Sequence, residues 1–435
     1  MNRVELIEKV IAATPKTFSG GVKIISATLL IAGVVGMILG FFVSGDPKAG
    51  WSALLVSAVM LIGISSAGGV ISAIFEMTGA KWGRAYRRMA EGFLALAPLG
   101  LSAAVVLLVG GGDYLPWARA EHLSGGKHIW LIRGFWDARI IGLLIVYYAV
   151  SAYFLYFSLR RDFCATGVLE SFCGKLARFV SIGIEEPKKE LERCKRNLSI
   201  LAPIVAILYA FTMTLIAFDL IMALEPEWFS TLFGAWYFIG SLFAAIALLA
   251  IISLAMKSML PLSPFLTELR QRDLATLLFA FTLVNTDFFW SQYLTIWYGN
   301  LPEETAYLIK RTVDEGLPWK SLSWVSLFAF FAIPFVFLLF RKVKHSRILL
   351  TAVSLTVFAG IFLARFIEIA PAIVEMPSNG GGSSALLPLA SSILIFCGFL
   401  GAGILLYGFF IMNFPIMPVG DETFTTEFAK EKGAG

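Results

Sequence analysis

Ten apolar runs, each about 20 residues long, constrain this chain more than any other feature of its sequence. The runs cover residues 22–43, 51–75, 92–109, 138–158, 199–223, 229–256, 274–298, 322–340, 348–370 and 386–412. A run of this length crosses a bilayer core about 30 Å thick, because each helical residue adds about 1.5 Å. The sequence therefore predicts an all-α, polytopic membrane protein with ten transmembrane helices.

The composition excludes a soluble domain. Hydrophobic residues make up 58% of the chain and charged residues 15%, whereas soluble domains carry about 25% charge. The excess apolar surface can only be covered by lipid. The net charge of +5 does not indicate a nucleic-acid partner, because the basic residues are distributed by membrane side.

Lysine and arginine predict the orientation of the helices. Most of the 35 basic residues fall in the two tails and in connections 76–91, 159–198, 257–273 and 341–347. Because cytoplasmic connections are enriched in these residues, both termini are expected in the cytoplasm. The N-terminus shows no signal-peptide pattern. We expect a cytoplasmic tail or interfacial helix over 1–21, a membrane domain over 22–412 and a cytoplasmic tail over 413–435.

Histidine and cysteine argue against a metal centre in this chain. Haem within a membrane bundle needs histidines inside the helices, but the three histidines lie in connections: His122, His128 and His345. No CxxC pair occurs among the four cysteines, which are Cys164, Cys173, Cys194 and Cys397. We expect neither haem nor an iron–sulphur cluster here.

The segment Thr212–Ser241 predicts a functional site. It reads as two spans joined by the acidic turn Glu225–Trp228, and it places Asp219 about 7–8 Å inside helix five. An ionisable group within the bilayer costs about 2.5–3.5 kcal/mol on insertion scales, so it usually faces a partner or a cavity. Asp219 is therefore a functional candidate. A structural hydrogen bond to a neighbouring helix is the alternative.

The outer connection 110–137 supplies further candidates. It mixes glycine, tryptophan and charge, and it leads directly into helix four. A quinone headgroup needs an amphiphilic pocket with an acid or a histidine near its oxygen. Tryptophans that only anchor the interface are the alternative. The predicted quinone-binding residues are Asp219, His128, Asp137, Arg139 and Arg133.

A second set of ionisable groups suits a proton path through the membrane. Asp287 lies halfway along helix seven, whereas Arg365 and Glu368 share one face of helix nine. A mutually neutralising pair is the alternative for those two residues. For Glu76, an interfacial ion pair with Lys81 or Arg84 is the alternative. The predicted proton-path residues are Asp287, Arg365, Glu368, Glu76 and Glu225.

Four stretches resemble the NrfD/PsrC superfamily of quinone-interacting membrane subunits, in its ten-helix branch. They are SSAGGVISAIFEMTGAKWGRAYRRMAEGF, LYAFTMTLIAFDLIMALEPEWFSTLFGAWYFIGS, FFWSQYLTIWYGNLPEET and FLARFIEIAP. The acid of the family's FD(W/L)xM(S/A)L(D/E)P motif falls on Asp219. The acid and the base of a M(R)WVDxxWxxAP-like motif fall on Glu368 and Arg365. One departure is NTDFFWSQ, where relatives often carry WAYxxFSQ; it adds Asp287.

The resemblance implies two four-helix bundles with flanking helices, in a bacterial inner membrane. It implies menaquinone or another quinone at the outer end of the first bundle, beside a periplasmic four-cluster ferredoxin-like iron–sulphur subunit. Multihaem cytochrome c and molybdopterin-enzyme-like subunits, and membrane lipids, are further implied partners. The chain would not be catalytic alone. A secondary transporter, which also uses midplane charges, and a structural anchor that has lost its quinone site are the alternatives.

Overall fold

The computed structural model describes residues 3–119, 126–166, 175–312, 319–374 and 386–431. Ten helices in these ranges are long and apolar enough to cross a membrane, which confirms the predicted fold class. In chain order the helices of ten or more residues are α1 (Arg3–Ala13), α2 (Gly20–Val43), α3 (Pro47–Met77), α4 (Arg84–Val109), α5 (Arg133–Cys164), α6 (Pro187–Leu224), α7 (Phe233–Met259), α8 (Glu268–Gly299), α9 (Pro302–Thr312), α10 (Trp319–Leu339), α11 (Arg347–Ile373), α12 (Leu386–Asn413) and α13 (Glu422–Glu431). Of these, α1, α9 and α13 are too short to span.

Several helices are longer than the apolar runs that predicted them. Helix α4 begins at Arg84 and α6 at Pro187, although the apolar runs begin at 92 and 199. The first turn of α6 tolerates its proline because that position has no helical N–H bond to lose. In α4 the added charged residues are buried in ion pairs. Charged residues that the sequence assigned to a connection between spans therefore belong to the helix.

Helix α3 is the centre of the fold. Its most apolar 18-residue window is entirely buried, and the helix contacts α4, α5, α6, α7, α11 and α12. Small residues allow this close packing. A side chain at Gly68 would place its Cβ 2.5 Å from the backbone oxygen of Ala90, so glycine is needed where α3 meets α4.

Most of the other helix–helix contacts join spans that are close in sequence. Helices α4, α5 and α6 pack with α3, whereas α8 and α11 pack with α7, and α10 packs against α8 and α11. Helices α2 and α12 pack against each other and against α3 at the side. Because α3 also contacts α7 and α11, the division into two four-helix bundles with flanking helices stays a prediction.

The two chain termini fold against one end of the α3–α6 group. Ile416, Met417 and Val419 are completely buried although they follow the last span. The amide of Ile416 donates to Thr14 Oγ1 at 3.5 Å, and α1 packs on α13. A cap formed by both terminal segments therefore covers this end of the helices.

Candidate functional site

Asp219 lies on α6 and is fully buried against α5. The guanidinium of Arg139, on α5, holds both of its carboxylate oxygens. Arg139 Nε donates to Oδ2 and Nη2 donates to Oδ1, each at 2.7 Å. Such a two-point pair fixes the orientation of both groups as well as their charge. Asp219 therefore has the intramembrane partner that its insertion cost requires.

Trp130 completes this pair from the short helix Lys127–Trp130. Its indole Nε1 donates to Asp219 Oδ1 at 3.0 Å. The Arg139 guanidinium carbon lies 3.8 Å from the Trp130 ring centroid and 4.6 Å from that of Phe135. A cation between two aromatic rings gains from the negative potential of their faces. Trp130, absent from the predicted set, is thus a member of the site.

The site is open on its aromatic side. Trp130 is 39% exposed and Phe135 50% exposed, whereas Asp219 is inaccessible. A ring-shaped ligand would therefore meet Trp130 and Phe135 first, with the Arg139 guanidinium between them and the Asp219 carboxylate behind.

Two further tryptophans, Trp136 and Trp117, lie near the backbone of Asp219. Trp136 Nε1 donates to the backbone oxygen of Asp219 at 3.1 Å. The Trp117 ring packs edge-on against Trp136, with centroids 5.3 Å apart. The Trp117 indole N–H is buried and has no acceptor within the described residues. Buried donors are rarely left unpaired, so Trp117 offers a hydrogen bond to a carbonyl oxygen or a water.

The other predicted quinone residues do not join the carboxylate of Asp219. Arg133 Nε pairs with Asp137 on the same helix at 3.0 Å, and both side chains are 36% exposed. The Arg133 guanidinium lies 5.4 Å from the Trp136 ring centroid, so this pair borders the site. The backbone of His128 lies in the short helix that carries Trp130, but its side chain is outside the described residues.

Three predicted proton-path residues meet around Arg311 of α9. Arg365 Nη1 donates to Glu368 Oε2 at 2.6 Å, and both side chains are buried. Arg311 Nη2 donates to the backbone oxygen of Glu368 at 3.0 Å and to the Glu225 carboxylate at 3.3 Å. Lys310 also contacts Glu225 at 3.3 Å. The acidic turn after α6 is therefore tied to the end of α11.

Several buried polar atoms of α8 and α11 have no partner among the described residues. They are both amide atoms of Asn285, Oε1 of Gln292 and Oε1 of Glu368. A Cβ at Gly240 would lie 2.5 Å from Arg365 Nη2 and 3.2 Å from Asn285 Oδ1, so these two groups converge there. Buried polar atoms of this kind are typically satisfied by ordered water.

Asp287 lies apart from these groups. It is exposed on α8, whereas Asn285 on the same helix is completely buried. Two residues along a helix correspond to a rotation of about 200°, so the two side chains face opposite ways. Asp287 points away from the polar interior that contains Arg365 and Glu368.

Glu76 belongs to a larger group at the opposite end of the α3–α6 group. It accepts from Arg84 at 2.6 Å and from Arg87. Of the two expected partners, Lys81 and Arg84, the structure therefore pairs Glu76 with Arg84. The charged residues here, which we call the Glu91 cluster, are all buried except the partly buried Glu76: Arg84, Arg87, Arg88, Arg161, Glu76, Glu91, Asp162 and Asp421.

Most of the Glu91 cluster was missed by sequence reasoning, because its charges read as a cytoplasmic connection. Glu91 is completely buried and accepts from Arg87 at 3.1 Å and from Arg88. Hydroxyls of Ser72 and Ser158 each donate to it at 2.7 Å. The C-terminal segment of the cap, which we call the C-terminal cap, covers the cluster, since Asp421 accepts from Arg84 and Arg161, each at 2.9 Å.

An open, mostly apolar depression of about 390 Å³ lies on α5 away from Asp219. It is lined by Tyr153, Tyr156, Phe179 and Ile182. Tyr153 is 14 residues beyond Arg139 on the same helix, which corresponds to about 21 Å. The depression is therefore separate from the Asp219 site. Among the described residues, no group of three His, Cys, Asp or Glu side chains could hold a metal ion.

The fold and the site define a class: a ten-helix membrane protein with buried ion pairs at both ends of its central helices. Residues 43–377 match the family model described as polysulphide reductase NrfD. Because the match covers well over half of the chain, the protein belongs to the NrfD family. Members are membrane subunits of quinone-interacting redox complexes that also contain iron–sulphur and molybdopterin subunits. No curated protein matches the chain.

Proposed function

We propose that this chain binds menaquinone or its quinol beside Asp219, near the periplasmic face of a bacterial inner membrane, and exchanges electrons with a periplasmic iron–sulphur subunit. The observation that carries the proposal is the two-point Arg139–Asp219 pair, which lies behind exposed aromatic rings. It combines an apolar stacking surface, hydrogen-bond donors and a group that can hold a proton. Membership of the NrfD family supports the same class of ligand.

The side chains at this site have separate roles in the proposal. Trp130 and Phe135 stack against the ring, and Arg139 donates to a carbonyl oxygen. Trp117 supplies a further buried donor. Asp219 fixes the Arg139 guanidinium and holds or releases a proton. A bound quinone supplies reversible two-electron, two-proton chemistry.

Protons would move through buried polar residues of the helices. Ser65 and Tyr148 share a hydrogen bond of 2.7 Å between the Glu91 cluster and the opposite ends of the helices. Farther on, Arg365 lies 4.6 Å from the Tyr237 ring centroid. Ordered water at the unpartnered Asn285 amide would extend this set to Glu368. The proposed route uses Glu76, Arg365, Glu368 and Glu225, and it leaves out Asp287.

Secondary transport is the less favoured alternative. It predicts a pair of helices unwound at midplane, lined by backbone groups that bind the substrate. In the ranges that the structure describes, interruptions within the spans are short 3₁₀ or π segments, as at Gly92–Leu96 and Phe328–Ala332. A structural anchor without a quinone site gives no reason for the Arg139–Asp219 pair to border exposed aromatic rings.

The test compares two Asp→Asn changes in the purified complex. Asp219→Asn removes the charge that orients Arg139, so the Kd of a quinone analogue should rise about tenfold or more, because a hydrogen bond to a charged group contributes about 1.5–3 kcal/mol. Quinol turnover should fall in parallel. Asp137→Asn is the matched control on the exposed neighbouring pair, and its Kd should change less than about threefold. Unchanged binding and turnover in Asp219→Asn would remove Asp219 from the site.

A further inference from the structure

We propose that the face of α8 around Asp287 docks a transmembrane helix of a different subunit, and that this helix carries a basic side chain at the depth of Asp287. The face is apolar on both sides of the carboxylate. Leu283 and Val284 are each 41% exposed one turn before it, and Trp290 is 54% exposed one turn after it. Asp287 is the exposed acid within this apolar surface.

The position of Asp287 along α8 places it far from water. It lies 12 residues before Gly299 at the end of the helix, which corresponds to about 18 Å. Trp297 and Tyr298, exposed near that end, are residue types that mark the membrane interface. A carboxylate at mid-depth has neither water nor lipid headgroups to solvate it, so it requires a partner.

This chain does not supply that partner in the part that the structure describes. No Lys, Arg or His in those ranges forms an ion pair or hydrogen bond with the Asp287 carboxylate. Thr286 donates instead to the backbone oxygen of Thr282 at 2.7 Å. Arg272, at the other end of α8, pairs with Asp273 at 3.2 Å. Because the described residues supply no cation to the Asp287 carboxylate, we assign the compensating group to another subunit.

Charge complementarity selects the occupant. In a second copy packed through the same face, Asp287 would meet residues of that face, since a two-fold interface is self-complementary. The exposed residues there are not basic: Thr276, Ala280, Leu283, Val284 and Trp290. Acyl chains offer no hydrogen-bond donor. A lysine or arginine from another helix neutralises the carboxylate and donates to it. Exposed Ala280 and Thr276 follow the same face of α8 at helical spacing, and small residues let a second helix approach closely.

A photo-crosslinking amino acid placed at Leu283 in the complete complex identifies what covers this face of α8. The expected adduct joins α8 to a transmembrane segment of another subunit, within about one turn of a lysine or arginine. The matched control is the same amino acid at Ile207, which is 72% exposed on α6 and should give lipid adducts. Adducts from Leu283 with lipid alone, with a second copy of this chain, or with a segment that lacks a basic residue would overturn the proposal.

Substitution of Asp287 then tests the charge itself. Asp287→Leu should reduce the protein adduct and the co-purified partner by about tenfold or more. The amount of this chain in the membrane should not fall, because leucine lowers the cost of inserting α8 of the unassembled chain into lipid. Asp273→Asn, the control on the same helix, should leave the adduct intact. Asp287→Lys combined with a basic-to-Asp change in the partner should restore it. Full assembly of Asp287→Leu, or loss of the chain itself, would contradict the proposal.

Discussion

Two buried ion clusters lie at opposite ends of the α3–α6 group, and they differ in how their charges are surrounded. In the Glu91 cluster four arginines face four carboxylates, and the C-terminal cap covers them. At the other end, Asp219 pairs with one cation among the described residues, Arg139. That pair borders Trp130 and Phe135, which are exposed.

The difference indicates separate roles. Charges with several partners and no access hold helices and termini in place, because removing one charge leaves its partners buried and unpaired. A single pair next to exposed aromatic rings can exchange a partner or a proton when a ligand arrives. We therefore expect the Glu91 cluster to control stability and the Asp219 site to control binding and turnover.

The largest stability effect is expected for Glu91→Gln. Loss of this charge leaves Arg87 and Arg88 without a carboxylate that both contact, and breaking a buried ion pair costs about 3–5 kcal/mol. Denaturant unfolding of the purified complex should show that decrease in the free energy of unfolding. Asp219→Asn should lose less than half as much stability while losing more turnover. Equal stability losses would remove the distinction between the two ends.

The next effect concerns Arg311, which ties α9 to the end of α11. Arg311→Met removes donors to the backbone oxygens of Ile367 and Glu368. Each buried acceptor left unpaired costs about 1–3 kcal/mol, so we expect a loss of about 2–4 kcal/mol in the same unfolding assay. A loss below 1 kcal/mol would show that water replaces the guanidinium without cost.

A smaller, pH-dependent effect is expected for Asp421 in the C-terminal cap. Burial alone would raise its pKa, yet Arg161, Arg84 and Arg87 hold the pKa below the ordinary value of 3.8. Its stabilisation is therefore fully present above pH 3.8 and is lost as the pH falls through the lower, folded-state pKa. Asp421→Asn should cost about 1.5–3 kcal/mol at neutral pH.

The pH series supplies the control for this variant. The difference in unfolding free energy between the parent protein and Asp421→Asn should stay constant from pH 7 to about 5 and shrink below the ordinary pKa. A difference that grows on acidification would contradict the assigned charge.

The smallest effect is expected for Lys310→Ala. Lys310 is 43% exposed and contacts Glu225 at 3.3 Å, and exposed ion pairs contribute about 0–1 kcal/mol. The unfolding free energy should change by no more than this amount, and 0.5 M salt should remove the difference. A larger loss would mean that Glu225 depends on Lys310 rather than on Arg311.

The sequence predicted the ten spans well because a helix that crosses the bilayer core must be apolar over about 20 residues, and hydropathy detects such runs. It missed the first turns of α4, since Arg87, Arg88 and Glu91 neutralise one another only after folding. For the site, the insertion cost of Asp219 predicted that it has a partner, and the structure pairs it with Arg139. Its partners depend on which helix faces meet. The sequence therefore placed Asp137 and Arg133 in one set with Asp219 and Arg139, although Asp137 and Arg133 pair with each other.

Two further residues show what patterns could have revealed. Asp287 is flanked at helical spacing by Leu283 and Trp290, and this apolar surround is typical of an outward face. Trp130 was visible as a tryptophan in the outer connection, but only the folded chain brings its indole to Asp219. Periodicity can indicate the direction of a side chain, whereas contacts between distant segments need the structure.

Photolabelling with an azido-quinone tests the central claim most directly. The reagent is bound to the intact complex, irradiated, and the labelled peptides are sequenced by mass spectrometry. We predict label on the segment that contains Trp130 and Phe135, reduced about tenfold or more in Asp219→Asn. Label confined to the depression lined by Tyr153 and Tyr156, unchanged in that variant, would contradict a quinone site beside Asp219.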